Sequence, residues 1–209
     1  MKNLFHPENP ITKFLSHFYD LMVLNFFFII TSLPVFTIGA SICAAYHITL
    51  KLADGEEPYI IKGYFKAFRE NFRQATLLWI PLLFAIIFFS ADLFIIYNVI
   101  DKRYEFLQIP VWIFIFVIVS LIIYAFPLLS SYESSTKQLL KNAVLLSLAN
   151  FPTTIFISVL HIGIMYIAST SARNLVIVGS LALFFGFSGV MYFCSVFLLR
   201  IFRKCEAIQ

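Results

Sequence analysis

Asp20, His47 and Asp92 are ionisable side chains that stand inside apolar stretches of the sequence. A charge at the centre of a bilayer costs on the order of 3 kcal/mol, so each is by default a candidate for ligand or proton binding. His17 lies one helical turn from Asp20, and such a pair can share a proton. The structural alternatives are an interfacial hydrogen bond for Asp20, a satisfied core histidine for His47 and a position near the outer interface for Asp92.

Asn25 and the stretch SLPVFTIGAS at 32–41 add polar and helix-breaking residues to the first apolar region. Pro34 disfavours a helical residue before it and suits the first turn of a new helix. Thr37 offers a local hydrogen bond, and Gly39 allows close packing. Two geometries stay open for 32–39: a tight, partly buried hairpin between two spans, or a re-entrant break that binds a ligand. For Asn25 we expect a hydrogen bond between helices.

No arrangement of residues typical of catalysis is present. The two aspartates lack the glycine-flanked sequence of an intramembrane aspartyl protease, and no Ser/His pair, His-Glu metal motif or phosphate-binding glycine loop occurs. The three cysteines show no pairing or metal spacing. We therefore expect a protein that is not an enzyme, with no cofactor and no metal.

The composition is that of an integral membrane protein. The 209 residues are 61% hydrophobic and 12% charged, against about 25% charged in soluble domains. A spanning helix needs roughly 20 mostly apolar residues. We predict an all-α polytopic membrane bundle that forms a single domain over 1–209. Its six spans are 14–33, 35–52, 76–100, 109–130, 153–169 and 175–199.

The distribution of basic residues predicts the orientation of these spans. With both termini in the cytoplasm, 12 of the 15 Lys and Arg residues fall on the cytoplasmic side, as the positive-inside rule requires. We therefore expect a multi-pass protein of a bacterial cell membrane. We expect no nucleic-acid partner, since the basic residues are spread over a membrane protein and no aromatic RNA-binding box occurs.

The segment 58–73 is predicted to form an amphipathic helix. Ile61 and four aromatic residues fall at helical spacing, and the other side is basic. Such a helix can lie on anionic lipid, or it can dock a cytoplasmic partner. The basic residues proposed for this contact are Lys62, Lys66, Arg69 and Arg73.

The segment 135–152 shares a pattern with this region at an offset of 71 residues. Lys66 then matches Lys137, Asn71 matches Asn142 and Pro81 matches Pro152. This predicts a repeated unit of span, surface helix and span. Chance similarity between apolar segments is the alternative, and an overlay of 37–98 on 108–169 decides between them.

Small residues recur in the last predicted span at Gly179, Ala182, Gly186 and Gly189. Small residues on one helix face allow close backbone approach between membrane helices. Packing within the bundle and a homodimer contact are both compatible with this pattern.

Over nearly its whole length, including KNAVLLSLANFP at 141–152, the chain resembles the YesL family of small bacterial membrane proteins, a domain of unknown function. The shared pattern is an asparagine in the first helix, a P-x-x-T-x-G stretch, a short acidic loop and an F-x-K-x-F-x-x-N-F helix. In this chain these positions are Asn25, Pro34, Thr37, Gly39, 54–57, Phe65, Lys66, Phe68, Asn71 and Phe72. The resemblance implies an accessory membrane component associated with carbohydrate uptake or polysaccharide use.

Two functions follow as hypotheses. The first is a non-enzymatic accessory protein that binds an ABC transporter or a sensor in the membrane. The second is a small transporter in its own right, which uses the break at 32–39 with Asp20, Asn25 or Asp92. A transporter needs these polar groups to line one connected cavity.

Overall fold

The computed structural model describes residues 10–98 and 106–206, and within these ranges every regular element is helical. The helices are α1 (Pro10–Ser32), α2 (Ile38–Ala53), α3 (Ile60–Asn98), α4 (Gln108–Ser131), α5 (Thr136–Ala149), α6 (Phe151–Ser169), α7 (Ala172–Leu181) and α8 (Phe187–Glu206). A 3-10 turn, Val35–Thr37, precedes α2, and a π turn, Ala182–Gly186, joins α7 to α8. Lys2, Lys102 and Arg103, which entered the charge count, lie outside the described residues.

Six apolar stretches in these helices are long enough to cross a membrane, which confirms the predicted all-α polytopic bundle. They are Leu15–Ser32, Val35–Ala53, Ile60–Asn98, Gln108–Ser131, Phe151–Ser169 and Ala172–Glu206.

Helix α2 is the central element of the bundle, although it is one of the two least apolar spans. Two thirds of its apolar stretch, 67%, is buried, and it packs against α3, α4 and α8. Alanines, serines and threonines let its neighbours approach closely, while larger side chains such as Tyr46 and Ile48 fill the space between them. Two clusters of buried apolar residues form around α2. One joins it to α3, α4 and α8, and the other to α1 and the start of α3.

The predicted separate amphipathic helix at 58–73 is the first part of α3, so the expected break before the span at 76 does not occur. Helix α3 has 39 residues and continues through Pro81. Its first four turns bury Ile60, Tyr64 and Ala67 against α1 and α2. Tyr64 and Ala67 therefore pack within the protein, whereas Ile61 and Phe65 on the same segment stay 51% and 43% exposed.

Helix α5 ends before α6 because the chain bends at Asn150, whose φ is −116° and ψ is 41°. Pro152 stands in the first turn of α6, where the absent N–H of proline costs no hydrogen bond. Inside α6, the hydroxyl of Thr154 lies 2.9 Å from the carbonyl oxygen of Ser147 and 3.0 Å from the hydroxyl of Tyr124. These contacts bind the bend to α4.

Candidate functional site

The turn between α1 and α2 is a compact hairpin held by a chain of hydroxyl groups. The hydroxyl of Thr37 lies within hydrogen-bond distance of the carbonyl oxygens of Thr31, at 2.5 Å, and Pro34, at 2.6 Å. Ser41 donates to the hydroxyl of Thr31 at 2.9 Å, and that hydroxyl lies 2.6 Å from the hydroxyl of Tyr64 on α3. Ser32 does not cap the turn, since its hydroxyl has no partner among the described residues. The hydroxyl of Thr37 is instead the side-chain hydrogen-bond partner of the backbone carbonyl oxygens in the turn.

Gly39 is the point of closest approach between α2 and α3. A Cβ at this position would stand 2.5 Å from the Cβ of Trp79 and 2.8 Å from the carbonyl oxygen of Ala75. The indole N–H of Trp79 donates to the carbonyl oxygen of Val35 at 2.9 Å. Pro34, Thr37 and Gly39 therefore each have a role in the turn or in helix packing, and their binding role stays a prediction.

Asn25 is fully buried, and its amide binds the backbone of the last helix. Its Nδ2 donates to the carbonyl oxygens of Ala182, at 2.9 Å, and Leu183, at 2.8 Å. Its Oδ1 accepts from the backbone N–H of Ser188 at 3.1 Å. The expected hydrogen bond between helices is present, and both amide hydrogens are used in it.

The three ionisable candidates lie in different surroundings. Asp20 is half-buried on α1, near His17 and Glu57. His47 lies on α2 with its Nδ1 3.1 Å from the carbonyl oxygen of Ser130, so this nitrogen carries the hydrogen. Asp92 is half-buried near the end of α3 and forms no hydrogen bond or ion pair with the described residues.

A group of polar side chains, which sequence reasoning missed, joins α2, α4 and α8 at one end of the bundle. Arg203 pairs with Asp54, Lys51 lies 4.0 Å from Glu56, and the hydroxyl of Tyr132 donates to Glu206 at 2.5 Å. We call these six residues the terminal polar cluster. Together with His47 they line a groove of 280 Å³. Each residue follows a helix end or lies in its last turn, and this was the only available signal in the sequence.

Tyr132 is a titratable member of this cluster outside the spans. Burial raises the pKa of its phenol well above the usual value, and the hydrogen bond to Glu206 and the charge of that carboxylate raise it further. The phenol therefore stays protonated and remains a donor over the ordinary range of pH.

The four basic residues of the first part of α3 form an exposed row, which we call the basic stripe: Lys62, Lys66, Arg69 and Arg73. At 100° per residue they fall within roughly 60° of the helix circumference. Lys66 lies 4.0 Å from Glu70. Continuing along the same side of α3, the exposed residues become apolar, with Leu77 63% and Phe84 68% exposed.

The small residues of the last apolar stretch do not form one uninterrupted helix face. The π turn Ala182–Gly186 separates Gly179 from Gly189. The carbonyl oxygen of Ala182 binds Asn25, and a Cβ on Gly189 would meet the ring of Phe185 at 3.3 Å. Space beside Gly179 is open. A dimer contact through these positions stays a prediction.

Comparison with known proteins gives one match. Residues 21–93 match the family model described as "Protein of unknown function, DUF624". No curated protein and no solved structure matches the chain. The matched segment runs from α1 through the hairpin and α2 into α3, and it contains both Asn25 and the basic stripe. This part of the chain is thus similar to a family whose function is unknown.

Proposed function

We propose that this protein is a non-enzymatic accessory component of a bacterial cell membrane, which binds the cytoplasmic part of a membrane partner through the basic stripe. The observation that carries the proposal is the change of character along one exposed side of α3. Four basic side chains occupy this side up to Arg73, and apolar side chains occupy it from Leu77 onward.

This change supports a position for the edge of the hydrocarbon layer on α3. Exposed charges are excluded from hydrocarbon, whereas exposed apolar side chains are typical of lipid contact. The edge therefore falls between Arg73 and Leu77. The positive-inside rule assigns the basic side to the cytoplasm.

The length of the basic stripe favours a protein partner over lipid alone. Lys62 precedes Arg73 by eleven residues, or about 17 Å along the helix axis. The headgroup layer on each side of a bilayer is only about 5–7 Å thick. With α3 along the membrane normal, Arg73 and Arg69 would lie within reach of headgroups, whereas Lys62 and Lys66 would extend past them into the aqueous phase.

The surroundings of the polar candidates support an accessory protein rather than a transporter. Asn25 uses its amide on the last helix, His47 binds a carbonyl of α4, and Thr37 closes the hairpin. These are separate packing contacts of the described residues and not the lining of one cavity. The transporter hypothesis gains no supporting observation from them.

The resemblance to the YesL family supports carbohydrate uptake or polysaccharide use as the setting of this role. The family match over residues 21–93 is compatible with that narrower assignment but leaves it open. An ABC transporter or a membrane sensor is the proposed class of partner.

Chemical cross-linking followed by co-purification from native membranes tests the proposal. The test variant is Lys66→Glu, Arg69→Glu and Arg73→Glu together. We expect it to lose its partner, because the surface charge is reversed while the buried face of α3 is unchanged. Loss of transporter or sensor subunits from the purified set would support the assigned class.

The matched control is Lys137→Glu with Lys141→Glu, which reverses two exposed charges on α5. This variant is expected to keep the partner. An identical set of partners for wild type and the α3 variant would contradict docking through the basic stripe. A partner that depends on the stripe but has no link to solute uptake would refute the carbohydrate setting alone.

A further inference from the structure

The last helix contains one residue more per turn at Ala182–Gly186, where it adopts the π form. Helices α7 and α8 are α-helical on either side. A π turn arises where the backbone ladder is opened, and such turns are rare and depend on local stabilisation. The groups that stabilise this one come from α1.

The amide of Asn25 fills the opening in the ladder. In the π register the carbonyl of Leu183 would accept from the N–H of Ser188. Here the amide stands between them, since its Nδ2 donates to Leu183 O at 2.8 Å and its Oδ1 accepts from Ser188 N at 3.1 Å. One side-chain amide thus takes the place of a direct bond between two peptide groups. Both Asn25, at 0%, and Ser188, at 1% exposure, are shielded from water.

Gly186 gives a second, independent indication that the sequence accommodates this register. A Cβ added there would lie 3.0 Å from the carbonyl oxygen of Leu181. The carbonyl that it would meet is five residues back along the chain, which is the spacing of a π turn. A side chain at 186 would therefore crowd this turn.

The two halves of the last helix are held very differently. Helix α8 buries six residues, and the hydroxyl of Ser195 lies 2.8 Å from that of Thr49 on α2. Arg203 pairs with Asp54 at the end of α2. Helix α7 has no buried residue. A change of register at the π turn would therefore turn α7, while α8 stays in place.

We propose that Asn25 is a register lock: with α1 docked it holds the last helix in the π form, and its withdrawal converts this turn to the α form. The conversion removes one residue from the turn, which rotates α7 by about 100° and shifts it by about 1.5 Å. Movement of α1 is thereby passed to α7 and the helix α6 beside it. This device goes beyond the proposed partner binding and does not depend on it.

Distance measurement between spin labels by pulsed electron resonance tests the lock. The full-length protein, with Cys205→Ser to remove the exposed native thiol, carries labels at Val176→Cys on α7 and Ile162→Cys on α6. Both positions are exposed, at 67% and 62%. With Asn25→Leu added, we expect the main distance to shift by on the order of 5 Å, because a helix is about 10–12 Å across. A second label pair at Lys62→Cys and Lys137→Cys is expected to keep its distance.

Two further variants make the test decisive. Ser188→Ala removes the hydroxyl bond to Leu21 O but keeps the backbone N–H on Asn25, so the distance between α6 and α7 is expected to stay at the wild-type value. Gly186→Ala keeps Asn25 but crowds the π turn, and it is expected to shift the distance as Asn25→Leu does. Should Asn25→Leu fail to fold, Gly186→Ala alone decides. A wild-type distance in the folded Asn25→Leu or Gly186→Ala variant, or an equal shift in Ser188→Ala, would overturn the lock.

Discussion

The segment α2–α3 and the segment α4–α5–α6 have the same order of elements, yet one contains a continuous helix and the other a bend. In both, a span leads through a short loop into an amphipathic helix and then into the next span. At the offset of 71 residues Pro81 and Pro152 match, although α3 continues through Pro81 and α5 ends just before Pro152.

The residues around the two prolines account for this difference. At the same offset Trp79 matches Asn150, and Leu83 matches Thr154. Trp79 is fixed in α3 by its bond to Val35 O, whereas asparagine readily leaves helical geometry. Thr154 offers a hydroxyl to Ser147 O at the bend, and leucine has none to offer. A proline thus interrupts a membrane helix here only where its neighbours can satisfy the freed backbone groups.

The largest expected effect concerns the close approach of α2 and α3 in the first segment. Gly39→Ala should destabilise the protein by about 3 kcal/mol, the upper end of the range for overpacking, because the new methyl group meets the backbone of α3. Thermal unfolding in mild detergent measures the change. Gly163→Ala on α6 is the control, since nothing lies within 4 Å of its added Cβ. Equal unfolding temperatures for the two variants would refute the contact at Gly39.

Removal of the hydroxyl at the bend should have the next largest effect. Thr154→Val keeps the shape but leaves Ser147 O and the hydroxyl of Tyr124 without this partner, which costs about 2 kcal/mol for buried groups. The same unfolding measurement applies. Thr153→Val, one residue earlier on the half-buried side of α6, is expected to change stability by less. If Thr153→Val is the more damaging variant, the account of the bend is wrong.

Replacement of each proline by alanine compares directly what the two prolines contribute to stability. Pro81→Ala should stabilise the protein by about 1 kcal/mol, because it restores a backbone hydrogen bond inside a continuous helix. Pro152→Ala should leave stability almost unchanged, since the first turn of a helix does not use that N–H. Chemical denaturation of both variants in one detergent provides the comparison. A gain at Pro152 equal to that at Pro81 would show that the two helices are not differently built.

The smallest effect is expected in the loop before α5, where Tyr132 binds Glu206. Tyr132→Phe should cost about 0.5 kcal/mol, because the pair is exposed. The raised pKa of Tyr132 means that its contribution is complete below the usual phenol value of 10.0 and declines as the pH passes through the higher value of the folded protein. The difference in unfolding temperature between wild type and variant should therefore shrink above pH 10. A difference that grows at alkaline pH would contradict this sign.

The sequence predicted the number of spans correctly because apolar length is a strong signal. It did not predict that 58–73 continues into the next span, because hydrophobic periodicity shows an amphipathic face but not the neighbour that covers it. Here that neighbour is α1 with α2, which bury Tyr64 and Ala67.

The candidate residues were recognised as polar outliers, but their partners were not. Asn25 stood out as an amide in an apolar helix, while its partners are backbone atoms 157 and more positions away along the chain. Of the π turn, the sequence showed only Gly186, and we assigned that glycine to a pattern of small residues. Contacts between distant backbone groups have no pattern of residue types to reveal them.

The shielding of α2 has a consequence for how the chain enters the membrane. Its 16 residues measure about 24 Å, short of a hydrocarbon core of about 30 Å. Its buried surface includes Ser41 and Thr49, which gain little from lipid but find partners in the finished bundle. The connection to α1 is only five residues long. During biogenesis α2 is therefore expected to insert together with α1 as one hairpin, and to be covered as α3, α4 and α8 arrive from the ribosome.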